Sequence, residues 1–137
     1  MGKALGIDFG VKRTGIAISD NEKILASGLT TVSTNLIYGF ISELFIREEI
    51  DFIVVGLPKN LKNQPTDATM QTERFINRLK NIYRNKPIYT IDERFTSKIA
   101  KRVIVSSGIK KNKRRDKNLV DKISAAIILQ DYIDNIM

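Results

Sequence analysis

The stretch Leu5-Gly6-Ile7-Asp8-Phe9-Gly10-Val11-Lys12-Arg13-Thr14-Gly15 most restricts what this chain can become. It sets an acid inside an apolar run whose side chains alternate as in a β-strand, with Leu5, Ile7 and Phe9 on one face and Ala4, Gly6 and Asp8 on the other. A carboxylate in such a place is costly unless it is paired, hydrogen-bonded or bound to metal. Its neighbours on that face are the smallest side chains available, so the expectation is open space above Asp8, where a metal ion or a phosphate approaches.

The residues that are missing narrow the chemistry further. The chain has no histidine and no cysteine, which removes thiolate zinc sites, disulfides, cysteine nucleophiles, the usual general base and any Ser-His-Asp triad. Carboxylates alone remain for metal-assisted chemistry, and oxygen-only ligands suit hard ions, so Mg²⁺ or Mn²⁺ is the expected cofactor. Against 15 Asp and Glu stand 23 Lys and Arg, a net charge of +8 that favours a polyanionic partner such as nucleic acid, with a membrane surface as the other candidate. No apolar run approaches the roughly 18 residues of a spanning helix, and Met1-Gly2-Lys3-Ala4 enters a strand without a signal-peptide pattern. The reading is a soluble cytoplasmic protein, one domain over residues 1–137, with 42% hydrophobic content to build its core.

In chain order, Ala4 to Phe9, Thr14 to Ser19 and Lys23 to Leu29 read as an antiparallel meander, with Asp20-Asn21 supplying positive φ for a tight hairpin. Asp20 is read as a turn residue in preference to a catalytic one. Asn35 to Glu49 carries a helical stripe of Leu36, Ile37, Phe40, Ile41, Leu44 and Phe45, capped by Ser33 or Thr34. Phe40 and Phe45 on that stripe are core rather than base-stacking aromatics. Phe52 to Val55 reads as a strand covered on both faces, and strand, helix and buried strand in succession imply a crossover unit with parallel pairing. A loop from Gly56 to Pro65 then falls at the carboxyl end of that strand, where open α/β sheets place their ligands. Thr66 to Arg84 is a helix with Phe75, Ile76, Leu79, Ile82 and Tyr83 inward. Ile88 to Ile91 is a further buried strand.

Three later segments admit two readings each. Asp92-Glu93-Arg94 at a strand end either caps the helix expected over Ser97 to Ser107, or sends Glu93 to the metal of Asp8 and Arg94 to a phosphate. The run Lys110, Lys111, Lys113, Arg114, Arg115 and Lys117 is either a solvated loop or, as favoured here, a segment that neutralises a nucleic-acid backbone without sequence preference. In the last helix, Asn118 to Ile136, Asp121 either answers the helix dipole or is a third carboxylate, lowered onto the sheet along a face of Ser124, Ala125 and Ile128.

Four pieces of the chain together resemble the YqgF family: Gly6-Ile7-Asp8-Phe9-Gly10 with Arg13 and Gly15; Val55-Gly56-Leu57-Pro58 with Asn60; Asp92 to Thr96; and Val120-Asp121-Lys122 with Ala125-Ala126. Those bacterial ribonuclease H-like proteins are described both as Holliday-junction resolvases and as nucleases maturing the 5′ end of pre-16S ribosomal RNA. The resemblance implies an α/β fold with a five-stranded mixed sheet, three antiparallel strands then two parallel, flanked by helices. It also implies Asp8, Glu93 and Asp121 as catalytic and metal-binding residues, with Asp8 bridging two ions about 4 Å apart. Lys12, Arg13, Asn60 and Arg94 would hold the nucleic acid. The chain departs from the family where Lys62 and Asn63 replace an acid and a glycine. Pre-ribosomal RNA is the favoured substrate and branched DNA the alternative, with the protein a monomer or weak homodimer. A binding module without catalysis, and an ATPase of the actin and sugar-kinase type, are the competing classes.

Overall fold

A computed structural model describes residues 2–58, 62, 64–92 and 117–137. Five strands, β1 (Lys3–Asp8), β2 (Arg13–Ser19), β3 (Ala26–Ser33), β4 (Ile50–Leu57) and β5 (Ile88–Asp92), form one sheet in the order β3-β2-β1-β4-β5. β1, β2 and β3 pair antiparallel, and β4 and β5 join in parallel. The carboxyl ends of β1, β4 and β5 therefore share one edge of the sheet, where Asp8, Leu57 and Asp92 lie. The described helices are α1 (Ile37–Arg47), α2 (Asp67–Ile82) and α3 (Lys117–Asn135), with a 3-10 turn at Thr34–Leu36 before α1.

The two faces of the sheet are built from different sizes of residue. One carries Leu5, Ile7, Ile16, Ile53 and Val55 against Ile37, Ile41 and Leu44 of α1 and Phe75, Ile76 and Leu79 of α2. The other carries Ala4, Ala17 and Val54 against Ala125, Ile128, Leu129, Tyr132 and Ile133 of α3. Small residues there let α3 settle almost onto the backbone: a Cβ placed on Gly6 would lie 2.7 Å from the Leu129 Cβ, and one on Gly28 would lie 2.8 Å from Lys122 Cγ. The glycines of this face therefore receive a helix.

Several local expectations shift for identifiable reasons. β3 starts at Ala26 rather than Lys23, because Asp20 Oδ1 captures the amides of Ile24 (2.8 Å) and Leu25 (2.9 Å) and holds those residues in a wider loop. The positive φ in that loop belongs to Lys23, at 57°, and not to Asn21. Neither Ser33 nor Thr34 caps the following turn with its side chain; Thr34 is engaged elsewhere. Leu36 and Ile82, expected inside, are 64% and 46% exposed. β5 is half-exposed rather than buried because it is the outermost strand. Phe40 and Phe45 pack against the core as expected. The helix expected over 97–107 lies outside the described residues.

Candidate active site

Asp8 ends β1 directly opposite Gly15 of β2, so the two residues project to the same face of the sheet. Over Gly15 lies the backbone of α3: a Cβ there would collide with the Asp121 carbonyl. The glycine thus seats the amino-terminal part of α3 beside Asp8, and Asp121 is brought to the neighbourhood of Asp8 from 113 positions along the chain. Asp121 lies beyond the first described turn of α3, which holds no acid, whereas a helix dipole acts within the first turn.

Arg13, two residues from Gly15 and on the same face, reaches across to α3, where its Nε donates to Asp121 Oδ2 at 3.0 Å. The pair is half-exposed, with side chains 37% and 24% accessible, so its worth is orientation more than stability. Arg13, to which the resemblance gave a nucleic-acid contact, is bonded here to the carboxylate of Asp121. Sequence patterns do not reveal this contact, because its partners lie 108 residues apart.

The turn that carries Asp8 is strapped down on both sides. Phe9 stacks on Phe75 of α2 with ring centroids 4.5 Å apart. Thr34 Oγ1 donates to the Gly10 carbonyl at 2.6 Å and lies 2.8 Å from Thr14 Oγ1, and the Thr34 amide donates to the Lys12 carbonyl at 3.0 Å. Lys12 itself is exposed beside the site. At the end of β4, Thr69 Oγ1 donates to the Pro58 carbonyl, while Thr66 and Thr69 close a reciprocal capping box that starts α2. Thr14, Thr34 and Thr69 were absent from the sequence-based site; a threonine near a turn carries no signal of the partner it will find across the fold.

Asp92 pairs in register with Leu57, which packs on the α1 and α2 side, while Ile91 packs on the α3 side. Asp92 thus belongs to the face opposite Asp8. Glu93, Arg94, Asn60, Lys110, Lys111, Lys113, Arg114 and Arg115 lie outside the described residues, as does Asn63; Lys117 opens α3 and Lys62 is exposed. Among the described residues no three acidic side chains form a metal-binding group. Asp8 and Asp121, set on the same side of the sheet around Gly15, carry oxygen donors of the kind that hard divalent ions take.

This arrangement, a mixed five-stranded sheet in the order β3-β2-β1-β4-β5 with helices on both faces, is that of a ribonuclease H-like protein. The chain shares its fold with the fowlpox virus resolvase in complex with Holliday junction DNA (TM-score 0.60, 14% identity, covering 98% of this chain and 99% of that one). It shares it also with Thermus thermophilus RuvC in complex with a Holliday junction substrate (TM-score 0.58, 17% identity, covering 96% and 92%). A family model described as RuvX, Holliday junction resolvase, matches residues 2–135, and the chain belongs to that family. Relatives named "Putative pre-16S rRNA nuclease" include one from Flavobacterium psychrophilum, 44% identical over 97% of both chains, and one from Porphyromonas gingivalis, 44% identical over 98% of both. The protein is thus one of a family of enzymes that hydrolyse phosphodiester bonds, and it carries the mixed five-stranded sheet that the sequence implied. No described helix is long and apolar enough to cross a membrane.

Proposed function

We propose that the protein is a divalent-metal-dependent endonuclease that processes the 5′ end of pre-16S ribosomal RNA. The observation that supports the reading is that Gly15, opposite Asp8, seats the part of α3 that carries Asp121, whose carboxylate is bonded by Arg13. Asp8, Asp121 and Glu93 would hold Mg²⁺ or Mn²⁺. When bound, such ions supply a nucleophilic water at neutral pH and stabilise the charge that develops on the leaving oxygen. The chain has no histidine to take the proton, so its own contribution is placement. Asp8 is held by the straps on Phe9 and Gly10 and Asp121 by Arg13; Lys12, Arg94 and Asn60 would hold the scissile strand. Lys110, Lys111, Lys113, Arg114, Arg115 and Lys117 would neutralise the flanking phosphates. The names borne by the relatives from Flavobacterium and Porphyromonas support ribosomal RNA as the substrate.

The deciding experiment presents a pre-16S 5′-leader RNA and a synthetic four-way DNA junction in Mg²⁺, in Mn²⁺ and in chelator. Cleavage of the RNA that requires metal, and that Asp8→Asn and Asp121→Asn abolish without weakening binding, is the expected result. Cleavage that survived Asp8→Asn would overturn the site. A second reading, resolution of DNA junctions, is favoured by the junction-bound structural neighbours; paired nicks in the junction with the RNA untouched would establish it instead.

A further inference from the structure

We infer that the β1–β2 turn is an apolar wedge that contacts an unpaired nucleotide next to the phosphate being cut, with Val11 at its tip and Leu36 on its flank. The inference rests on the nuclease reading and concerns how its substrate is recognised. Val11 is 65% exposed and Leu36 is 64% exposed. They stand on neighbouring backbone, because the Thr34 amide is bonded to the Lys12 carbonyl, one residue after Val11 and two before Leu36. Both lie at the rim that holds Asp8, three positions before Val11.

Exposed aliphatic residues taken singly need no explanation. These differ in being rigidly presented. Phe9 is stacked on Phe75, the Gly10 carbonyl is held by Thr34 Oγ1 at 2.6 Å, and a Cβ on Gly10 would collide with the Arg13 carbonyl, so the turn is tight as well as tied. The tip cannot fold back to bury Val11 without breaking those contacts. The neighbouring side chain, Lys12, is exposed and cationic. Apolar tip, cation beside it and carboxylate three residues away match the alternation of base or sugar, phosphate and scissile bond along a nucleic-acid strand. Apolar side chains that insert at base steps act in this way, and a base already unpaired opposes them least.

The wedge makes a prediction that a purely basic surface does not. Phosphate contacts weaken with salt, and the slope of log K against log salt counts them; an apolar contact adds affinity without altering that slope. The test uses the full chain in chelator, where cleavage is off, with two RNA probes of the same sequence. One is fully paired; the other has a central unpaired 2-aminopurine. Val11→Ser and Leu36→Ser should each weaken binding of the gapped probe by about fivefold to twentyfold, the worth of one to two aliphatic groups removed from water. Both should leave the salt slope and paired-duplex binding unchanged, and Val11→Ser should reverse the change in 2-aminopurine fluorescence. Because both side chains are exposed, thermal midpoints should match wild type. Wild-type binding of the gapped probe that both variants preserve would overturn the wedge alone, as would equal losses on the two probes. Wild-type protein that bound neither probe would overturn the nuclease reading, and the wedge with it.

Discussion

Gly15 has no room for a β-carbon, because the space one would occupy is taken by the Asp121 carbonyl. Gly15→Ala must push α3 off the sheet, an overpacking that typically costs about 1–3 kcal/mol. Urea unfolding should show that loss, and metal-dependent cleavage should fall further than stability does, since Asp121 moves with the helix. Arg13 gives the opposite balance. Its pair with Asp121 is half-exposed, so Arg13→Ala should change stability by less than about 1 kcal/mol. Cleavage should nevertheless drop by roughly tenfold or more, as a misaimed group near the reacting atoms does. A fall in thermal midpoint proportional to the activity loss would show that Arg13 only supports the fold. Asp8 and Asp121 were visible in the sequence as acids in apolar settings, and the glycines as sites of close approach. That Gly6 and Gly15 receive a helix rather than a ligand was not visible, since a glycine records that something comes near but not what.

At the scale of elements, two acids hold the end of the sheet remote from the site. Asp20 accepts the amides of Ile24 and Leu25, and these bonds hold its carboxyl below the ordinary 3.8. Asp51 accepts from Lys23 Nζ at 2.6 Å and from the Gly2 amide at 3.0 Å, and the lysine bond foremost holds its carboxyl below 3.8 as well. Each is more acidic folded than unfolded, so the chain's stability contribution from them is complete above about pH 4 and is lost as pH falls through the folded values. The thermal midpoint should fall on acidification below that point. Asp51→Asn should flatten the fall, and a variant with an unchanged acid limb would refute the assignment. The same loop shows where element-level reading stops. β1, β2, β4 and, Ile82 and Leu36 apart, the inner faces of α1 and α2 followed from periodicity. The start of β3 did not, because a side chain competing for two backbone amides overrides the strand propensity of Ile24 and Leu25. Leu36 lies on the helical stripe by spacing, yet the chain there is still a 3-10 turn, outside the helix that would have buried it.

For the molecule as a whole, a charge of +8 means that nucleic-acid affinity should fall steeply with salt. Asp8→Asn should lose cleavage while keeping that salt dependence, which titration of the leader RNA from low to physiological ionic strength would check. The topology has a consequence in time as well as in space. The sheet draws on residues 3–92, whereas the second carboxylate of the site arrives with α3, which starts at Lys117. A growing chain can pair all five strands and still present a bare glycine stripe with one acid. Under the proposed assignment, a nuclease built in this order receives its second acid only when the last helix has been translated and laid in place.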